Sequence, residues 1–112
     1  MGELEVIRAA SSALSGVTAT TSTLISVIRR NGIVAAAERQ RLRDHLTLLR
    51  REDISQHIAR MGVVNINHTF YLYDLAESKV NMPQAYAAAL SIAGDTVRLL
   101  EVNLHRLARE LG

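Results

Sequence analysis

Apolar positions recur along this chain with the three-to-four-residue spacing of helices. Taken at 100° per residue, one face of the first segment collects eight positions. They are Ile7, Ala10, Leu14, Val17, Thr21, Leu24, Ile25 and Ile28. Two basic residues, Asn31 and Gly32 follow, an order typical of a helix C-terminus. The pattern predicts a first helix over residues 3–30.

Two further apolar stripes lie in the middle of the chain. A second helix is predicted over residues 33–50, and its stripe is Ala35, Leu42, Leu46 and Leu49. A third is predicted over residues 53–79, with Asp53 as its N-cap. Its seam includes Asn65 and His68, which as buried polar residues would hydrogen-bond and fix the register of the bundle. Whether residues 62–67 are helical stays open, because Gly62 and a β-branched stretch interrupt the pattern.

Pro83 marks the start of the fourth segment, since proline suits the first turn of a helix. The predicted helix covers residues 83–111, and its seam keeps a 4-3 repeat over more than three heptads. Ile92, Leu99 and Val102 lie outside that seam, so this helix is expected to contact more than one neighbour.

Four helices joined by short turns predict an all-α fold, an antiparallel helical bundle in a single domain over residues 1–112. The helices are unusually long for a chain of this length, and they are apolar on more than one side. Self-association is therefore expected, with a homodimer as the simplest homo-oligomer.

The first helix carries an uncharged run of twenty residues between Arg8 and Arg29, half of them Ser, Thr or Gly. A solvent-facing helix normally keeps charges on its outer side, so another helix should cover this one. The predicted interface combines small residues of the first helix with an aromatic cluster of the third. It comprises Ser12, Ser15, Gly16, Ala19, Thr23, Phe70, Tyr71 and Tyr73.

Charge suggests a second function. The net charge is only +2, but twelve of the thirteen basic residues are Arg. Arg39, Arg43 and Arg50 share one edge of the second helix, and Arg51 follows. Guanidinium groups bind phosphates well. A nucleic-acid-binding regulator that uses these four residues is therefore the alternative function.

The sequence offers no group that predicts catalysis. It contains no Cys, which excludes disulfides and thiolate chemistry, and its four His lack metal-site spacing. We expect no enzyme, cofactor or metal. No signal peptide is recognisable, so a cytoplasmic protein of a bacterium or phage is expected. Membrane association through the first helix is a third possibility, disfavoured by nine hydroxyl side chains in its uncharged run.

Two resemblances to known families are confined to a few residues. Three Arg-to-His spacings resemble the motif of HEPN ribonucleases: Arg39 with His45, Arg51 with His57, and Arg98 with His105. The run 58–63 followed by residues 69–71 resembles the helix-turn-helix of TetR-type repressors, but both gaps differ in length. Neither covers enough of the chain to predict a function. Protein–protein interaction, as an adaptor, inhibitor, immunity or assembly protein, is the function that the sequence favours.

Overall fold

The computed structural model describes residues 2–60 and 65–111, which form five helices. They are α1 (Glu3–Asn31), α2 (Ala36–Leu49), α3 (Glu52–Arg60), α4 (Ile66–Glu77) and α5 (Pro83–Leu111). No strand occurs in these two ranges. The all-α prediction is confirmed, but the count is five rather than about four, because the predicted third helix is divided into α3 and α4.

The two longest helices, α1 and α5, form the spine of the molecule. Each has 29 residues, which corresponds to about 43 Å at ~1.5 Å per residue. The whole molecule measures 43 × 20 × 19 Å. Thr18 contacts Glu101, and Thr21 lies against Gly94, so the two helices run antiparallel. Helices α2 and α3 pack against α1, while α4 packs against α5.

On α1 and α5 the core lies where the periodicity placed it, whereas α4 buries Ile66, Phe70 and Tyr73 instead of the predicted seam. All eight positions of the predicted face of α1 are at most 9% exposed. The seam of α5 is buried at Tyr86, Leu90, Ala93, Val97, Leu100 and Leu104, and α2 contributes Leu42, Leu46 and Leu49. Helices α3 and α4 complete the core with Ile54, Ile58, Ile66, Phe70, Tyr73 and Ala76. Burial of these seams holds the five helices together.

Two helix boundaries follow their sequence signals. Gly32 adopts a left-handed conformation with φ of 67°, and its N–H donates to the carbonyl of Ile28 at 2.7 Å, which ends α1. Pro83 begins α5 as predicted. Helix α2, by contrast, begins at Ala36 rather than at residue 33, because the chain first has to reverse direction after Gly32.

The predicted cap of the third helix was wrong. Helix α3 begins at Glu52, so Asp53 already lies in its first turn. The Asp53 carboxylate accepts hydrogen bonds from the N–H of Ile54 at 3.0 Å and from the guanidinium of Arg51 at 2.7 Å. It thus binds its immediate neighbours instead of the N–H groups two or three residues on that an N-cap satisfies.

Asn65 and His68 do not form a buried polar seam. Asn65 is the exposed N-cap of α4, and its side-chain oxygen accepts from the N–H of Asn67 at 2.9 Å. His68 is exposed and stacks on Tyr71 with ring centroids 6.4 Å apart. The cap restarts the helix at residue 66 and rotates both residues out of the core. The rest of the stretch left open in the sequence, residues 62–64, lies outside the described residues.

Gly16 allows α2 to approach α1 closely. A Cβ atom at this position would lie 2.5 Å from the imidazole of His45. We expect Gly16→Ala to lower the free energy of unfolding by about 1–3 kcal/mol more in the wild-type chain than in a His45→Ala background. The added methyl group would clash with the imidazole ring, which only the wild-type background contains. Urea unfolding of the four variants measures this coupling. Equal effects of Gly16→Ala in both backgrounds would contradict the close contact.

Candidate interaction surfaces

The uncharged face of α1 is covered in part by α5 of the same chain. The hydroxyls of Ser15 and Thr18 donate to the two carboxylate oxygens of Glu101, at 2.7 and 2.9 Å. All three side chains are partly buried. Small hydroxyls replace charges here because they let α5 come close and also satisfy its carboxylate.

The predicted interface residues are dispersed by the fold. Ser12, Ala19 and Thr23 lie exposed on the outer side of α1, whereas Ser15 and Gly16 contact α5 and α2. On α4, Phe70 and Tyr73 are buried in the core, while Tyr71 is 60% exposed. The structure therefore does not bring these eight residues together on one surface.

Tyr73 joins α4 to α1 inside the core. Its hydroxyl shares a hydrogen bond of 2.7 Å with the hydroxyl of Thr21. Burial raises the pKa of Tyr73 to about 12, so the phenol stays neutral at physiological pH. A buried hydroxyl with a partner on another helix stabilises the bundle, and it leaves this aromatic ring unavailable to a second molecule.

A second row of apolar residues runs along the solvent side of α5, opposite the buried seam. Its large members are Ile92, Leu99 and Val102, which are 60%, 58% and 67% exposed. Together with Ala85, Ala88, Asp95 and Arg106 they keep alternating spacings of three and four residues. We call this row of seven residues the outer face of α5. The sequence pattern already placed Ile92, Leu99 and Val102 outside the main seam. It was not interpreted as a second face of the helix.

The outer face continues onto the edge of α4. Leu72, Leu75 and Lys79 border a shallow groove of about 300 Å³ together with Ala85, Ala88, Ala89 and Ile92 of α5. Leu75 is itself 40% exposed. Isolated exposed apolar residues are common on proteins, whereas exposed apolar residues that share one helix face make that face a candidate interaction surface.

The four predicted nucleic-acid-binding arginines all have acidic partners. Arg39 and Arg43 both donate to the same oxygen of Glu77, the second at 2.6 Å. Arg50 binds Asp74 at 3.1 Å, and its guanidinium lies 4.4 Å above the ring of Phe70. Arg51 binds Asp53 at 2.7 Å. Sequence reasoning missed Glu77 and Asp74 because they lie on α4, far along the chain from α2.

These ion pairs line an open groove of about 280 Å³ between α2 and α4. Its polar walls are Arg39, Arg43, Thr47, Arg50, Asp74 and Glu77, and its floor is Leu42, Leu46, Tyr73, Tyr86 and Leu90. The Tyr86 hydroxyl and the Nε of Arg39 are buried without a hydrogen-bond partner among the described residues. Burial, followed by the charge of Glu77, raises the pKa of Tyr86 to about 12.

Two further features concern metal binding and membrane crossing. Within residues 2–60 and 65–111, no group of three or more His, Asp or Glu side chains is placed to hold a metal ion. In the same ranges, no helix combines the length and the apolarity needed to cross a membrane.

Comparison with known proteins finds no counterpart. No protein-family model, curated protein sequence or solved structure matches this chain. Function therefore has to be argued from the surfaces described above.

Glu77 makes the stability of the bundle pH-dependent. Its hydrogen bonds and charge contacts with Arg39 and Arg43 hold the pKa of its carboxyl below the ordinary value of 4.5. A lowered pKa in the folded state contributes stability above that ordinary value, and this stability is lost as the pH falls through the folded pKa. We expect Glu77→Gln to lower the urea midpoint of unfolding at pH 7. The difference in midpoint between the variant and the wild type should become smaller toward pH 3.

The matched control is Glu5→Gln, which changes an exposed acid of α1. It should leave the urea midpoint at pH 7 nearly unchanged. If Glu77→Gln lowered the urea midpoint by the same amount at pH 3 as at pH 7, Glu77 would not be the ion-pair partner of Arg39 and Arg43.

Proposed function

We propose that this protein is a small helical interaction module that self-associates through the outer face of α5. The observation that carries the proposal is the exposed row of Ile92, Leu99 and Val102 on a helix whose opposite side is fully buried. A 29-residue helix with apolar seams on two sides is built to pack against two neighbours. Among the described residues of one chain, only the inner seam packs against other helices in this way.

The energetics favour burial of this row. Complete burial of one Val, Leu or Ile side chain stabilises by about 1.5–3 kcal/mol. A two-fold contact centred on Leu99 and Val102 brings four such side chains together, two from each copy. Their combined burial is comparable with the loss of translational and rotational freedom on association, about 4–15 kcal/mol.

The charges of the molecule support the same surface. Arg39 and Arg43 of α2 pair with Glu77, and Arg50 at the end of α2 pairs with Asp74, so these three arginines already have acidic partners on α4. Five of the eight exposed large apolar side chains of the described residues lie on α4 and α5, and three of them, Ile92, Leu99 and Val102, share the outer face of α5. This distribution supports protein–protein contact there more than it supports phosphate binding by α2.

Self-association is tested by the mass of the purified protein in solution, measured by light scattering after size exclusion. We expect the wild type to have twice the mass of one chain and Leu99→Glu to be monomeric, because the new carboxylate would be buried without a partner. Circular dichroism should show Leu99→Glu as helical as the wild type, since Leu99 is 58% exposed.

Ile33→Glu provides the matched control, because Ile33 is 60% exposed but lies between α1 and α2. This variant should keep the wild-type mass. A monomeric wild type at 100 µM, or a Leu99→Glu variant that remains dimeric, would contradict the proposal.

A further inference from the structure

We propose that the second copy packs antiparallel along the outer face of α5, and that Asp95 and Arg106 select this orientation. The inference rests on the proposed self-association and specifies its geometry. Leu99 of each copy lies against Val102 of the other, with the two-fold axis between them. The residues that flank this apolar centre determine the direction.

Asp95 and Arg106 flank that centre symmetrically. Asp95 stands four residues before Leu99, and Arg106 stands four residues after Val102. Both side chains are exposed and lie in the same 3-4 row as the apolar residues. Among the seven residues of the outer face, the acidic one thus precedes the apolar centre and the basic one follows it.

In antiparallel packing, the acidic residue of one helix faces the basic residue of the other. Residue numbers run in opposite directions along the two helices, so the contact of Leu99 with Val102 of the second copy also places Asp95 opposite Arg106 of the second copy. The two-fold axis makes this pair twice. Parallel packing would instead place Asp95 against Asp95 and Arg106 against Arg106 beside the apolar residues, where like charges oppose association.

Neither charge is held away from the contact by its own chain. Asp95 pairs with Arg98 one turn along the helix at 3.3 Å, and these side chains are 69% and 59% exposed. An exposed pair at this spacing stabilises by only about 0.2–0.5 kcal/mol. Arg106 makes a 3.3 Å hydrogen bond to Asn103 on the same helix. Both residues can therefore turn toward a second copy at little cost.

Disulfide crosslinking tests the orientation, because the natural chain has no Cys. A disulfide needs Cα atoms within about 7 Å, whereas eleven residues of helix span ~16 Å. Asp95→Cys protein carrying a size tag is mixed with untagged Arg106→Cys protein and oxidised. We expect the mixed crosslinked pair to dominate and each variant alone to crosslink poorly. Crosslinking of Asp95→Cys with itself in preference to the mixed pair in the same reaction would show parallel packing and overturn the inference.

Charge reversal tests the same pair without crosslinking. We expect Asp95→Arg to weaken dimerisation at least tenfold, and Asp95→Arg combined with Arg106→Asp to restore it to within about threefold of the wild type. Sedimentation equilibrium measures both dissociation constants. If the wild type dimerises through Leu99 but the double variant stays as weak as Asp95→Arg, the antiparallel geometry fails while the proposed function stands. A monomeric wild type would remove both.

Discussion

The antiparallel contact between α1 and α5 is the constraint on which the rest of the structure depends. Both helices span the full 43 Å of the molecule, and every other helix packs on one of them. Their close approach relies on small residues, since Gly94 leaves room for Thr21 and the hydroxyls of α1 receive Glu101. The uncharged run in α1 is thus a packing surface for a neighbouring helix of the same chain.

The positions of α1 and α5 determine which of their surfaces the shorter helices can cover. Helices α2 and α3 lie on α1, α4 lies on α5, and Glu77 bridges α4 to two arginines of α2. Within residues 2–60 and 65–111, no helix covers the side of α5 that points away from α1. Because that side carries Ile92, Leu99 and Val102, the same helix that completes the core also presents the most regular apolar surface of the described chain.

Helix faces and two of the helix ends could be predicted from the sequence because they depend on local physics. Periodicity identified the buried seams of α1 and α5, and Gly32 and Pro83 marked boundaries that their own backbone preferences impose. The division between α3 and α4 stayed open in the sequence because Asn65 fits a 4-3 seam as well as it fits an N-cap. Whether such a residue lies in a buried seam or caps a helix depends on which of the two arrangements is more stable.

The candidate surfaces were harder to predict because they depend on which helices meet. Ser15 was expected at an intermolecular interface, and its actual partner, Glu101, lies 86 positions along the chain. The alternative nucleic-acid-binding function needs Arg39 and Arg43 to be available for phosphates, and a carboxylate on α4 engages both. Val102, by contrast, was recognisable as lying outside the main seam, although only the fold shows that no other helix of the described chain covers it.

The central claim is that the outer face of α5 is covered in solution. Methyl NMR with a soluble paramagnetic probe measures this directly, residue by residue, on the unaltered protein. The account predicts that the methyl groups of Leu99 and Val102 are protected from the probe at high protein concentration, while those of Ile33 relax strongly. Equal relaxation of Leu99, Val102 and Ile33 would contradict it, because the outer face would then be open to solvent.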